Sequence, residues 1–178
     1  MLAIIETERL YLREILASDE QGMYELDSDS EVHRYLGNSP IKTLEEARAA
    51  INYVRQQYID NGIGRMAIVE KETNQFVGWG GLKYIREKIN GHQHFYEVGY
   101  RLIRRYWGRG YATESTQATV NYAFQHLKLT VLYAFADTGN SASLHVLEKC
   151  GFVIKSEFDY EGDPHYWLEL HHIDIAHL

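Results

Sequence analysis

The sequence predicts a mixed α/β (α+β) fold, a twisted and mostly antiparallel sheet flanked by helices. Three observations predict it. Residues 66–70, 76–84 and 94–102 are β-like runs separated by a polar turn and a Gly-containing loop, the pattern of an antiparallel meander. Residues 113–127 and 141–150 carry helix signals instead, and each is followed by a β-rich run, at 131–136 and 153–158. A strand, a helix and a second strand in that order need a crossover, so at least one parallel pair belongs to the sheet.

Each remaining element has a local reason. Leu10, Leu12 and Glu14 alternate with Tyr11 and Arg13 as a first strand, and Ser18 followed by Gln21 resembles a capping box that opens a helix. A second short helix is expected near Ser30. Thr43 and Glu46 form another capping box, after which Ala47, Ile51, Val54 and Tyr58 place one apolar stripe on a helix ending near Gly62. A last strand is expected at residues 165–170.

Length and composition bound the function classes. The 178 residues fit one domain, 1–178, with no linker or repeat and only two prolines. Hydrophobic residues make up 45% and charged residues 24%, and no run approaches the roughly 18 apolar residues of a membrane helix. The N-terminal stretch has acidic residues and no basic region before its short apolar run, unlike a secretion signal. Cys150, the single cysteine, cannot form an internal disulfide, which fits a reducing, cytoplasmic setting. The net charge of -7 argues against direct nucleic-acid binding. It suits a cationic partner such as an amine, although plain solubility is the simpler reading.

The segment richest in chemistry is Arg104-Arg105-Tyr106-Trp107-Gly108-Arg109-Gly110-Tyr111-Ala112, between a strand ending at Leu102 and a helix beginning near Thr113. A strand that turns into a helix N-terminus aims several backbone N–H groups into one concavity, and the helix dipole adds positive charge there. Gly108 and Gly110 let the backbone take unusual φ values and come close to a phosphate, while Ala112 keeps the first turn slim. Arg104, Arg105 and Arg109 add charge. The same glycines also suit a tight turn with solvated arginines. A nucleoside-triphosphate loop is disfavoured because no Gly-Lys-Ser/Thr ending follows.

This segment resembles motif A of the GNAT superfamily of acyl-CoA N-acyltransferases, Q/R-x-x-G-x-G/A, in the branch that includes the ribosomal-protein N-terminal acetyltransferases. In one register the motif covers Trp107 to Ala112, with Trp107 at the usual Gln/Arg position; a register starting at Arg105 also matches Gly108 and Gly110. Downstream, Asn140 opens a helix that closes on Glu148-Lys149-Cys150-Gly151-Phe152, a second family pattern. Helix capping by Asn140 and Gly151 explains both residues without a ligand. At the start, Thr7-Glu8-Arg9-Leu10-Tyr11-Leu12-Arg13 is similar to the family's opening. The resemblance implies that the sheet splays near the ends of strands 94–102 and 131–136 and takes a pantetheine arm in the gap. It implies acetyl-CoA as cosubstrate, held by Leu102, Arg104, Trp107, Gly108, Arg109, Gly110, Tyr111, Ala112, Thr113 and Asn140.

The family's route is direct attack of a neutral amine on the thioester. Glu97 lies where some relatives carry a general base, although a solvent-facing strand residue is the alternative. The family's frequent acid, a Tyr, aligns with Leu147, so Ser143 is the substitute donor or simply a first-turn helix residue. Cys150 sits at a helix C-terminus, which disfavours thiolate, and reads as packing. His92 with His94, and His171 with His172, lack matching ligands, so no metal is expected. Trp79, Trp107 and Trp167 read as core and pocket walls. The acceptor is a small-molecule amine or a protein N-terminus, no membrane is implied, and the chain acts as monomer or homodimer. A cofactor-binding regulatory module without turnover is the rival reading.

Overall fold

The computed structural model describes residues 3–175. Its centre is an eight-stranded sheet in the order β1-β2-β3-β4-β5-β6-β8-β7. The strands are β1 (Ile5–Glu6), β2 (Leu10–Glu14), β3 (Arg65–Glu70), β4 (Gln75–Ile85), β5 (Phe95–Leu102), β6 (Val131–Asp137), β7 (Val153–Tyr160) and β8 (Asp163–His171). The helices are α1 (Glu20–Ser28), α2 (Leu44–Asn61), α3 (Tyr111–Gln125), α4 (Ser141–Lys149) and the short α5 (His172–Ile175). All strand pairs are antiparallel except β5 with β6.

Sheet alternation sorts side chains onto two faces. Leu82 and Val98 are register partners and pack with Val120 and Phe124 of α3 and Leu147 of α4. Three residues along, Trp79 and Arg101 are partners on the opposite face, where Arg101 pairs with Asp27 of α1. Helices α1 and α2 therefore cover one face and α3 and α4 the other. The α2 stripe behaves as the spacing predicts: Ala47, Ile51 and Val54 are buried, Thr43 accepts the Glu46 N–H, and Gly62 ends the helix at φ 67°. Helix α4 closes in a Schellman motif, with Phe152 N–H on Leu147 O and Gly151 N–H on Glu148 O.

Two early expectations fail locally. Ser18 caps nothing, because a 3-10 turn at Ala17–Asp19 precedes α1 and Asp19 supplies the side chain there, accepting the Leu16 N–H at 2.8 Å and both Arg13 nitrogens. Near Ser30 the chain forms consecutive turns through residue 38 rather than a helix, ending with Gly37 and Asn38 at positive φ. Helix α3 begins two residues before the expected Thr113.

Strand β5 keeps a single register pair with β6, Glu97 with Tyr133. Beyond it the two strands run on, through 98–102 and 134–137, without partners across the gap. This is the splay that the resemblance implied, and it fixes where a ligand could enter the sheet.

Candidate functional site

The open ends of β5 and β6 lead to the N-termini of α3 and α4. After Leu102 the chain makes a 3-10 turn at Arg104–Tyr106, and then Gly108 and Gly110 adopt φ values of 73° and 82°. A β-carbon at Gly108 would meet nothing within 4 Å, so its backbone presents an open surface that only a left-handed conformation allows. The first intrahelical bond of α3 is Glu114 N–H to Gly110 O at 3.0 Å. The N–H groups of Tyr111, Ala112 and Thr113 precede it and point out of the helix end, an arrangement suited to phosphate.

The loop's arginines are exposed to solvent yet each has a partner. Arg104 lies 3.1 Å from Asp29 and Arg105 pairs with Glu25 of α1, while Arg109 covers the Tyr106 ring at 5.2 Å and stands 4.0 Å from Glu70. Trp107, in the family's Gln/Arg position, donates its indole N–H to Leu102 O at 2.8 Å and so ties the loop to the strand end. Arg9 donates to Arg109 O at 2.9 Å and to Glu114 at 2.7 Å, and Thr7 adds a 2.6 Å hydrogen bond to Glu114. The bracing by Thr7 and Arg9 is a feature sequence reading missed, although both lie in the opening run that carried part of the resemblance.

Glu97 and Ser143 flank the splay from opposite faces. Glu97 is 8% exposed and is not a solvent-facing strand residue. Its Oε2 pairs with Arg65, which also donates to Gly81 O and to Glu97 O and lies over the Trp79 ring at 5.3 Å. The pair needs Gly99: a β-carbon there would stand 2.7 Å from Arg65 Nη2 and 2.9 Å from Glu97 Oε1. The guanidinium engages Oε2, so Oε1 is the carboxylate oxygen outside that pair.

Across the sheet, Asn140 Oδ1 accepts the Ser143 N–H at 3.1 Å, so Asn140 caps α4. The Ser143 hydroxyl meets the phenol of Tyr100 on β5, whose burial raises it above the usual tyrosine range while the Ser143 bond pulls it back. Sequence reading overlooked Tyr100. The signal was present, since alternation places it between Val98 and Leu102 on the face toward α4. Leu147, at the family's tyrosine position, is buried in the core. Cys150 is also buried, its Sγ directed at Thr113 O at 3.7 Å, and burial pushes its thiol up to about 11.

Among the described residues, no three His, Cys, Asp or Glu side chains gather to hold a metal ion, and no helix is long and apolar enough to cross a membrane.

Comparisons with known proteins agree with this geometry. Residues 9–153 match the family described as acetyltransferase (GNAT) domain. An uncharacterized N-acetyltransferase p20 of Bacillus licheniformis is 32% identical over 146 residues, 82% of this chain and 80% of that protein. A GNAT-family acetyltransferase structure from Bacillus anthracis superposes with a TM-score of 0.79 at 26% identity, covering 95% of this chain and 98% of the other. A ribosomal L7/L12 alpha-N-protein acetyltransferase solved with coenzyme A shares the fold, with a TM-score of 0.79 at 19% identity over 95% of this chain and 98% of its own.

Proposed function

This chain belongs to the GNAT acetyltransferase family, and on that premise we propose that it transfers the acetyl group of acetyl-CoA to a primary amine by direct attack in a ternary complex. The acceptor is a small-molecule amine or a protein N-terminus, met in the cytoplasm by a single domain, 1–178, acting as monomer or homodimer. The observation that carries the reading is the β5–β6 pair that holds at Glu97 and Tyr133 and then opens beside a helix N-terminus with two positive-φ glycines.

Acetyl-CoA supplies the activated thioester, and the chain supplies position and proton handling. The amides from Gly108 to Thr113, with Leu102, Arg104, Trp107 and Arg109 shaping the loop, hold the pyrophosphate, and Asn140 holds the start of α4 against the arm. The neutral amine attacks the thioester carbon, an N–C bond forms and the C–S bond breaks. Glu97 Oε1 takes the amine proton, directly or through water. Ser143, backed by Tyr100, donates a hydrogen bond to the departing sulfur. A thiol ordinarily titrates near 8.5, below a raised phenol, so this hydroxyl pair stabilises the thiolate and solvent completes its protonation.

The test is free-thiol release from acetyl-CoA with a panel of amines and peptide N-termini, beside calorimetric titration of the protein with coenzyme A. Saturable binding and amine-dependent thiol release are expected. Binding without release for every amine overturns transfer, and no binding overturns the site.

A further inference from the structure

The face of the sheet that carries Glu97 changes character past β5. On β6, β8 and β7 it becomes a wall of rings: Phe135 stacks parallel on Trp167 at 6.1 Å, Tyr160 lies 4.9 Å from Phe135, and Phe158 meets Phe135 edge-on at 6.0 Å. Trp167 is buried beneath, while Phe135, Phe158 and Tyr160 are half-exposed. Phe135 follows Tyr133, the register partner of Glu97, by two residues, so its ring stands on the same face about 7 Å along the strand. The wall thus begins where the acetyl group would be handed over.

Carboxylates influence the Tyr160 end of this wall. The Tyr160 phenol is raised first by burial and then by the charges of Glu161, Glu97 and Glu87. The other acids nearby are already engaged: Asp137 accepts the Gly139 N–H at 2.7 Å, and Glu169 accepts from the Trp167 indole and faces His171 at 3.1 Å. Over most of its length the wall offers ring faces. Ring faces stack on flat apolar bodies, and carboxylates at the end draw in an ammonium before it is deprotonated.

Resting on the transfer reading above, we propose that Phe135, Phe158 and Tyr160 form an acceptor subsite for a primary amine borne on an aromatic body by a short aliphatic spacer. Its ring lies on the Phe135 wall and its nitrogen reaches Glu97. Polyamines and straight-chain amines lack the surface that this wall complements.

The experiment compares 2-phenylethylamine, n-butylamine and spermidine as acceptors for the wild type and for Phe135→Ala, and measures by calorimetry the binding of 2-phenylethylamine to the protein saturated with coenzyme A. The wild type should favour 2-phenylethylamine over n-butylamine by at least about tenfold in kcat/KM, mostly through KM. Phe135→Ala should erase most of that ratio and keep its affinity for coenzyme A. A circular-dichroism spectrum guards against misfolding, and Phe135→Leu, which keeps bulk but removes the ring, should reduce the ratio as well. Equal kcat/KM for the two monoamines, or a preference for spermidine, overturns the aromatic subsite and leaves acetyl transfer standing. Ring-dependent binding without thiol release keeps the subsite and overturns the transfer reading.

Discussion

Arg9 Nε lies 2.7 Å from Glu114 Oε2, which ties the start of β2 to the first turn of α3 across 105 residues of sequence. The same guanidinium reaches Arg109 O, so one side chain braces both the glycine loop and the helix that follows it. Arg9 is substantially exposed, and screening keeps the stability contribution of the ion pair to about 1 kcal/mol or less. Arg9→Met should therefore lower Tm by only about 2–4 °C. Its larger effect should be on preorganisation, raising KM for acetyl-CoA about fivefold with kcat nearly kept. An unchanged KM would show that the loop holds its shape without Arg9.

Glu114 gives that brace a pH dependence. Burial alone would raise its carboxyl, but hydrogen bonds from Thr7 and Arg9 outweigh it and hold the group below its usual 4.5. A carboxyl depressed in the folded state contributes stability that is fully present above the unfolded value and is lost as pH falls through the folded one. Acid titration of Glu114→Gln should show a smaller loss of Tm below about pH 4.5 than the wild type. Parallel curves would mean that Glu114 adds nothing to acid sensitivity.

Cys150 should prove inert. A thiol at about 11 lies four units above pH 7, so only about one molecule in 10⁴ carries the thiolate there. Native protein should react with a thiol reagent far more slowly than unfolded protein, and Cys150→Ala should turn over at the wild-type rate. Loss of turnover in a folded Cys150→Ala would revive a covalent route.

Gly110→Glu tests the loop directly. At φ 82° a side chain is strained, its β-carbon would stand 3.3 Å from Arg9 Nη2, and its charge would occupy the anion site. Titration should find coenzyme A binding weakened at least about 100-fold, the loss of some 2.7 kcal/mol, with the circular-dichroism spectrum retained. Retained affinity would reduce the segment to a turn.

What could be read from the sequence was what short-range geometry decides. The Thr43–Glu46 box, the Gly151 closure and the Gly108–Gly110 turn each depend on residues within one helical turn of each other. The splay, and acetyl-CoA as the ligand proposed for the loop, came only through family resemblance. Long-range pairings stayed hidden: Arg65 with Glu97 spans 32 residues, and Tyr100 with Ser143 joins a strand to a later helix. The turns at residues 30–38 were missed because polar residues with helix-start character also serve consecutive turns.

The last prediction separates the two faces of the splay. Glu97 on one face is proposed to take the amine proton, and Ser143 with Tyr100 on the other to serve the leaving sulfur, so their loss should differ in pH dependence. Removing a general base costs about 10²–10⁴-fold in rate, and the deficit shrinks as pH rises because more of the amine is already neutral. Glu97→Gln should follow that course with affinity for coenzyme A preserved. Because it leaves Arg65 as a buried cation without its partner, which costs about 3–5 kcal/mol, the double variant Glu97→Gln with Arg65→Met provides a stabler background carrying the same proton-transfer defect. Ser143→Ala should lose rate by a factor that does not shrink at high pH, since the missing hydrogen bond acts on the thiolate. Tyr100→Phe should show a milder form of the same pattern because Ser143 remains. The measurement is kcat/KM for one good acceptor from pH 6 to 10 in all four variants. If both glutamine variants match the wild type at every pH, Glu97 serves only to hold Arg65 in place and the proton leaves by another route.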